Sequence, residues 1–207
     1  MVTTPRADAA AWSAGWWQQA RACPSPNCEP RPDPQDISLL VVHAISLPPR
    51  VYGGGEVEAL FTNRLDWDAH PYFQGIRGLR VSNHFFIDRA GLVVQFVSIH
   101  ERAWHAGASC WAGRDNCNDY SVGVELEGMD DDCFTAQQYG SLLRLSAGLC
   151  AVLPQLRTVL GHEHIAPGRK LDPGPGFDWA TYAQGLASVG LQVAPVAFER
   201  PQEKPAS

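Results

Sequence analysis

The sequence predicts an α/β (α+β) fold in one domain, a central sheet layer packed by helices. Three observations carry that expectation. Residues 37–45 are apolar except for Ser38 and His43, which fits a strand buried on both faces. Residues 121–128 alternate: Val122, Val124 and Leu126 point one way, and Gly123, Glu125 and Glu127 the other. After Thr135 the apolar residues recur at helical spacing through Tyr139, Leu142, Leu143, Leu149, Cys150 and Leu153. A chain of 207 residues suits one medium domain.

Taken along the chain, residues 7–20 predict a helix with Ala10, Trp12, Trp16 and Trp17 near one face. Five prolines in 21–36 (Pro24, Pro26, Pro30, Pro32 and Pro34) predict an extended linker or loop. The strand at 37–45 is stopped by Leu47-Pro48-Pro49. Gly53-Gly54-Gly55 opens a loop, and 57–61 reads as a short helix. Residues 81–87 and 92–97, joined through Arg89-Ala90-Gly91, read as a hairpin. Thr135 with Gln138 forms a capping-box signature that starts the long helix. A short strand at 158–160 ends at Gly161-His162, a Pro/Gly-rich loop runs to Gly176, and 177–189 predicts a last helix stopped by Gly190. The domain is therefore drawn as 1–193, with the proline-rich loop 21–36 inside it and a loose proline-rich tail at 194–207.

Composition excludes several classes. A net charge of -6 with only 16 Lys+Arg leaves no basic face for phosphate neutralisation or for reading an anionic membrane. No apolar run approaches the roughly 20 residues that span a bilayer. Asp8, Trp16, Trp17 and Gln18 interrupt any apolar signal core, so the expected compartment is the cytoplasm. The six cysteines (Cys23, Cys28, Cys110, Cys117, Cys133 and Cys150) match no paired zinc spacing and read as mostly reduced thiols. The sharper alternative is a Cys23–Cys28 or Cys110–Cys117 bridge, which needs an oxidising compartment.

Three features could carry chemistry. His43 ends an apolar strand, where a site often sits, although alone it is equally a hydrogen-bonded core histidine. The stretch from Gly161 to Pro175 gathers His162, His164, Lys170 and Asp172 between Pro167, Pro173 and Pro175. Two imidazoles and a carboxylate with an open position are the ligand set of a catalytic zinc hydrolase, while the same composition also suits a polar surface turn. A carboxylate facing inward from a central strand, Glu125 or Glu127, is a general-base candidate unless that face is solvated. Spacing does not choose between Glu125 and Glu127, nor between His162 and His164.

These pieces together resemble the type 2 N-acetylmuramoyl-L-alanine amidases, and within them the cytoplasmic AmpD type, which are 1,6-anhydro-N-acetylmuramyl-L-alanine amidases. The matching stretches begin with Leu40-Val41-Val42-His43-Ala44-Ile45 and Asp68-Ala69-His70-Pro71-Tyr72-Phe73. They continue with Arg102-Ala103-Trp104-His105-Ala106-Gly107, with Cys117-Asn118-Asp119-Tyr120-Ser121 through Glu125-Leu126-Glu127-Gly128, and with Gly161-His162 through Lys170-Leu171-Asp172-Pro173-Gly174-Pro175. The resemblance implies a mixed sheet packed by helices and Zn2+ on His43, His162 and Asp172. It also implies Glu125 as acid/base and Lys170 as the oxyanion-stabilising group. The implied partner is a muropeptide, cut between muramic acid and L-alanine during peptidoglycan recycling, with no nucleic acid, membrane or obligate protein partner. Tyr72, Arg80, Trp104 and His105 are candidate sugar or peptide contacts. Two alternatives use the same scaffold: a phage or secreted amidase acting on intact peptidoglycan, and a peptidoglycan-recognition module without catalysis.

Overall fold

Burial on both faces places the two most apolar strands at the centre of the sheet. The computed structural model describes residues 9–187 and 191–193. Among these, seven strands share one sheet: Arg21–Ala22 (β1), Leu39–Ile45 (β2), Phe85–Ile87 (β3), Val93–Gln95 (β4), Ser121–Glu127 (β5), Thr158–Gly161 (β6) and Gln192–Val193 (β7). Their order is β7-β6-β2-β5-β3-β4-β1. Only β3 and β4 run antiparallel, through the expected hairpin; every other neighbouring pair is parallel, so the sheet is mixed. In the hairpin turn Leu92 donates its N–H to the Asp88 carboxylate, and Gly91 takes the left-handed conformation.

One face of β2 and β5 presents Leu40, Val42, Val122, Val124 and Leu126 to the main core. That core is closed by Ala136–Val152 (α3) and Trp179–Leu186 (α5) through Leu142, Leu145, Leu149, Tyr182 and Leu186. Thr135 caps α3 reciprocally with Gln138, as its spacing predicts. The Gln138 amide also donates to the carbonyls of Ile87 and Glu127, which ties the helix start to the ends of β3 and β5. The opposite face carries Leu39, Val41 and Leu160, and near the strand ends it carries the polar groups described below. Glu56–Phe61 (α1) and Pro71–Gln74 (α2) cover it beyond β3, with Leu60, Phe61 and Phe73 packed against Phe86 and Phe96.

Four expectations are corrected. The stretch at 7–20 is no helix where it is described: a 3-10 turn at Ala9–Ala11 leads into Trp12–Ser13 paired with Trp16–Trp17. Ala14 and Gly15 adopt left-handed conformations at that turn, and Gln95 claims both the Trp17 N–H and the Gly15 carbonyl. Tertiary hydrogen bonds, with Trp12 stacked on Trp17, outweigh the local helical spacing. Residues 21–36 are not a free linker, since β1 pairs with β4 and Cys28–Pro30 pairs with Glu101–Ala103. The Pro/Gly-rich stretch after β6, expected as a loop, contains a one-turn helix, His162–Ile165 (α4). The last helix is α5, shorter than 177–189, and its expected stop at Gly190 lies outside the described residues, as does the tail 194–207. All six cysteines are free thiols, so neither candidate bridge is formed.

Candidate active site

Three adjacent parallel strands deliver the site at their C-terminal ends, where open α/β sheets place ligands. His43 on β2 stands directly beside Glu125 on β5. The α4 residue His162 follows β6 at once, on the other side of β2. Asp172 returns from the proline-rich loop, held because its carbonyl accepts the Glu163 N–H at 2.9 Å.

His43 Nδ1, His162 Nδ1 and Asp172 Oδ2 form a triangle with edges of 3.0, 3.2 and 3.1 Å. A tetrahedral cation with ligand distances of about 2.0–2.1 Å has donor–donor edges of about 3.3 Å, so the triangle is close to one tetrahedral face. The donor chemistry agrees. His162 Nε2 lies 3.1 Å from the Ala106 carbonyl, which can only accept, so that nitrogen carries the ring proton. The Nδ1 lone pair then faces the other two donors, and such a set of lone pairs is stabilised by a shared cation. Burial, followed by the neighbouring His162, pushes the His43 pKa down to about 4, so the ring is neutral. Burial raises the Asp172 pKa, but the adjacent His162 and His43 rings outweigh it and hold the carboxyl well below its ordinary value.

Glu125 is buried beside this triangle. Asn83 donates from Nδ2 to Glu125 Oε1 at 3.2 Å, and the Asn83 amide is oriented because its Oδ1 accepts the His84 N–H. Among the described residues Glu125 Oε2 is buried without a hydrogen-bond partner. Burial, then the nearby Asp172 charge, pushes the Glu125 pKa up to about 8. Glu127 differs although it shares the face: its carboxylate accepts the N–H groups of Gly53 and Arg89. Likewise His164 faces away from the triangle. Its Nδ1 accepts the Gly161 N–H, and its ring packs on Trp179.

The site opens into a cavity of about 350 Å³. Lys170 lines it together with His43, Glu125 and Asp172. Leu60, Phe61, Ile76, Leu79, Tyr72 and Trp104 form an apolar wall, and the buried Trp104 Nε1 has no hydrogen-bond partner. Arg80 is exposed and does not line the cavity. His105 lines its inner wall, but both ring nitrogens are engaged by protein groups. The sequence reading missed Asn83 and the Leu60–Phe61 wall. The polar triplet Ser82-Asn83-His84 at the mouth of an apolar strand was the available signal for Asn83.

A buried carboxylate beside two imidazoles and a second carboxylate, opening on a cavity, is the layout of a metal-assisted hydrolase. Residues 33–175 match the Amidase_2 model, described as N-acetylmuramoyl-L-alanine amidase. The chain is 51% identical over 169 residues to the 1,6-anhydro-N-acetylmuramyl-L-alanine amidase AmpD of Citrobacter freundii, covering 81% of this chain and 90% of that one. It superposes on the crystal structure of a selenomethionine AmpD derivative with a TM-score of 0.82 at 49% identity, covering 84% of this chain and 97% of that chain. AmpDH3 from Pseudomonas aeruginosa in complex with anhydromuramic pentapeptide is similar at TM-score 0.56 and 26% identity, over 78% of this chain and 62% of that one. The chain belongs to the N-acetylmuramoyl-L-alanine amidase family.

Proposed function

We propose that this chain hydrolyses the amide between the lactyl group of 1,6-anhydro-N-acetylmuramic acid and L-alanine in muropeptides during peptidoglycan recycling, with Zn2+ held by His43, His162 and Asp172. The observation that carries the reading is the convergence of those three donors at 3.0–3.2 Å beside Glu125. Two imidazoles and one carboxylate favour zinc over harder cations. The substrate class is supported by the AmpD relatives and by the anhydromuramic peptide bound to AmpDH3.

A zinc ion in such a site supplies Lewis acidity, which polarises a carbonyl oxygen and makes water more acidic. Glu125 takes the proton of the attacking water on Oε2, while Asn83 holds Oε1, and then delivers it to the leaving amide nitrogen. A raised proton affinity suits both halves of that transfer. The Lys170 ammonium offsets charge developing on the substrate carbonyl oxygen, a contribution of about 3 kcal/mol. Tyr72 and Trp104 offer aromatic faces to the C–H surface of the sugar, and Trp104 Nε1 offers a free donor. Arg80, exposed between the cavity-lining Leu79 and Val81, offers a guanidinium to a carboxylate of the stem peptide.

We place the enzyme in the cytoplasm, where a reducing environment keeps its six thiols free. No described helix is long and apolar enough to cross a membrane. The test is metal analysis of the purified chain paired with product identification from a synthetic anhydromuramyl peptide. The expected result is about one equivalent of zinc and release of a peptide beginning with L-alanine. Faster cleavage of whole sacculi would favour the intact-peptidoglycan alternative, and binding without cleavage would favour a recognition module.

A further inference from the structure

Resting on the zinc reading above, we infer that His105 is a positioning residue: it holds His43 in the tautomer whose Nδ1 lone pair faces the cation site, and Ser121 sets its own tautomer. Protons can be counted along one chain of contacts. Ser121 Oγ lies 2.5 Å from the Cys117 carbonyl, which can only accept, so the single hydroxyl proton is committed there. His105 Nε2 lies 3.1 Å from the same Oγ and must therefore be the donor. A neutral imidazole has one N–H, so His105 Nδ1 is bare. His43 Nε2, at 2.9 Å from it, must then carry the His43 proton. The proton leaves His43 Nδ1 as the nitrogen that meets His162 Nδ1 and Asp172 Oδ2.

The same segment orients the second imidazole, because the next residue, Ala106, presents its carbonyl to His162 Nε2. Both contacts depend on one pinned stretch of backbone. The Asn118 side-chain Oδ1 accepts the N–H groups of His105 at 3.0 Å and Ala106 at 2.7 Å. Arg31, buried behind them, donates to the carbonyls of Asn118, Asp119 and Ser121. The ring of His105 packs so close to β5 that a Cβ at Gly123 would come within 2.7 Å of His105 Nδ1. Two sequence stretches, the one around Trp104-His105-Ala106 and the one around Asn118 to Ser121, thus act on the cation site without touching the cation. This role replaces the substrate contact expected of His105.

The test uses the full chain, zinc-loaded and chelator-treated. Long-range proton–nitrogen correlation spectra of the metal-free protein should place the His105 proton on Nε2; a proton on Nδ1 overturns the inference. His105→Leu, which leaves His43 Nε2–H without an acceptor, should weaken zinc binding about 10–100-fold in competition with a chromophoric chelator. His105→Asn, whose Oδ1 lies where Nδ1 does, should recover most of that affinity. Ser121→Ala should shift zinc affinity in the same direction by less, and it serves if His105→Leu does not fold. A raised KM with unchanged zinc affinity in His105→Leu would make His105 a substrate contact and overturn the proposal. Absence of zinc binding in the unmutated chain would instead defeat the zinc reading, while the spectra would still decide the His105 tautomer.

Discussion

Glu125 is held where its charge is unwelcome, and that has a measurable cost. Its pKa rises from 4.5 to about 8, first through burial and then through Asp172. The sign follows from proton binding. The folded state keeps this proton to higher pH than the unfolded chain, so the stability linked to it is complete below the unfolded value and is lost as pH rises through about 8. At about 1.36 kcal/mol per pH unit, the loss attributable to Glu125 between pH 5 and pH 8 is about 3–4 kcal/mol. Glu125→Gln keeps the shape and the contact to Asn83 but cannot ionise. In chelator-treated protein the Tm of Glu125→Gln, relative to the unmutated chain, should therefore climb by roughly 7–14 °C between pH 5 and pH 8, at 2–4 °C per kcal/mol for a chain of this size. Scanning calorimetry at several pH values reads this directly. A Tm difference that stays flat across the range would refute the claim that Glu125 is a desolvated, strained carboxylate. The same variant should lose turnover by about 10²–10⁴-fold while retaining zinc.

Asp172→Ala removes one corner of the donor triangle, so zinc content and activity should disappear together, as metal analysis of the dialysed variant will report. Lys170→Ala should lower kcat by about 10²–10³-fold with zinc still bound, measured under saturating substrate. His84 is buried next to Arg31, and burial, then that guanidinium, drives its pKa from 6.5 down to about 3. Its contribution to stability is present above pH 6.5 and should be lost as the pH falls from there towards 3, seen as an acid-side fall in the urea midpoint that His84→Asn reduces. Gly123→Ala would bring a methyl within 2.3 Å of Asn83 Oδ1 and 2.7 Å of the His105 ring. A loss of about 1–3 kcal/mol in urea titration is expected, with weaker zinc binding.

Much of this molecule is legible along the chain because its signals are local. Thr135 and Gln138 announce the long helix through a hydrogen-bond exchange spanning three residues. The run at β2 needs no partner to reveal a strand buried on both faces. The stretch from Gly161 to Pro175 gathers two imidazoles, a lysine and a carboxylate within a few residues. The failures occurred where local preference met a tertiary competitor. The tryptophans at 12, 16 and 17 have workable helical spacing, yet Gln95, from 78 residues further on, takes the Trp17 N–H and makes a hairpin the better arrangement.

Between equivalent candidates spacing could not choose, and the physical reason for the choice that the resemblance implied lies in three dimensions. Alternation along β5 puts Glu125 and Glu127 on one face, and only the fold shows that backbone N–H groups occupy Glu127 while one oxygen of Glu125 is left bare. His162 and His164 are two residues apart, and the one-turn helix sends one to the His43–Asp172 cluster and the other towards Trp179. By itself the sequence determined which residue types could do the chemistry and placed the central strands and the long helix, because propensity and periodicity act over a few residues. The tertiary structure decided which of those side chains meet, and with which proton on which nitrogen, because those outcomes depend on distances between groups up to 129 positions apart, such as His43 and Asp172, that become neighbours only when the sheet is assembled.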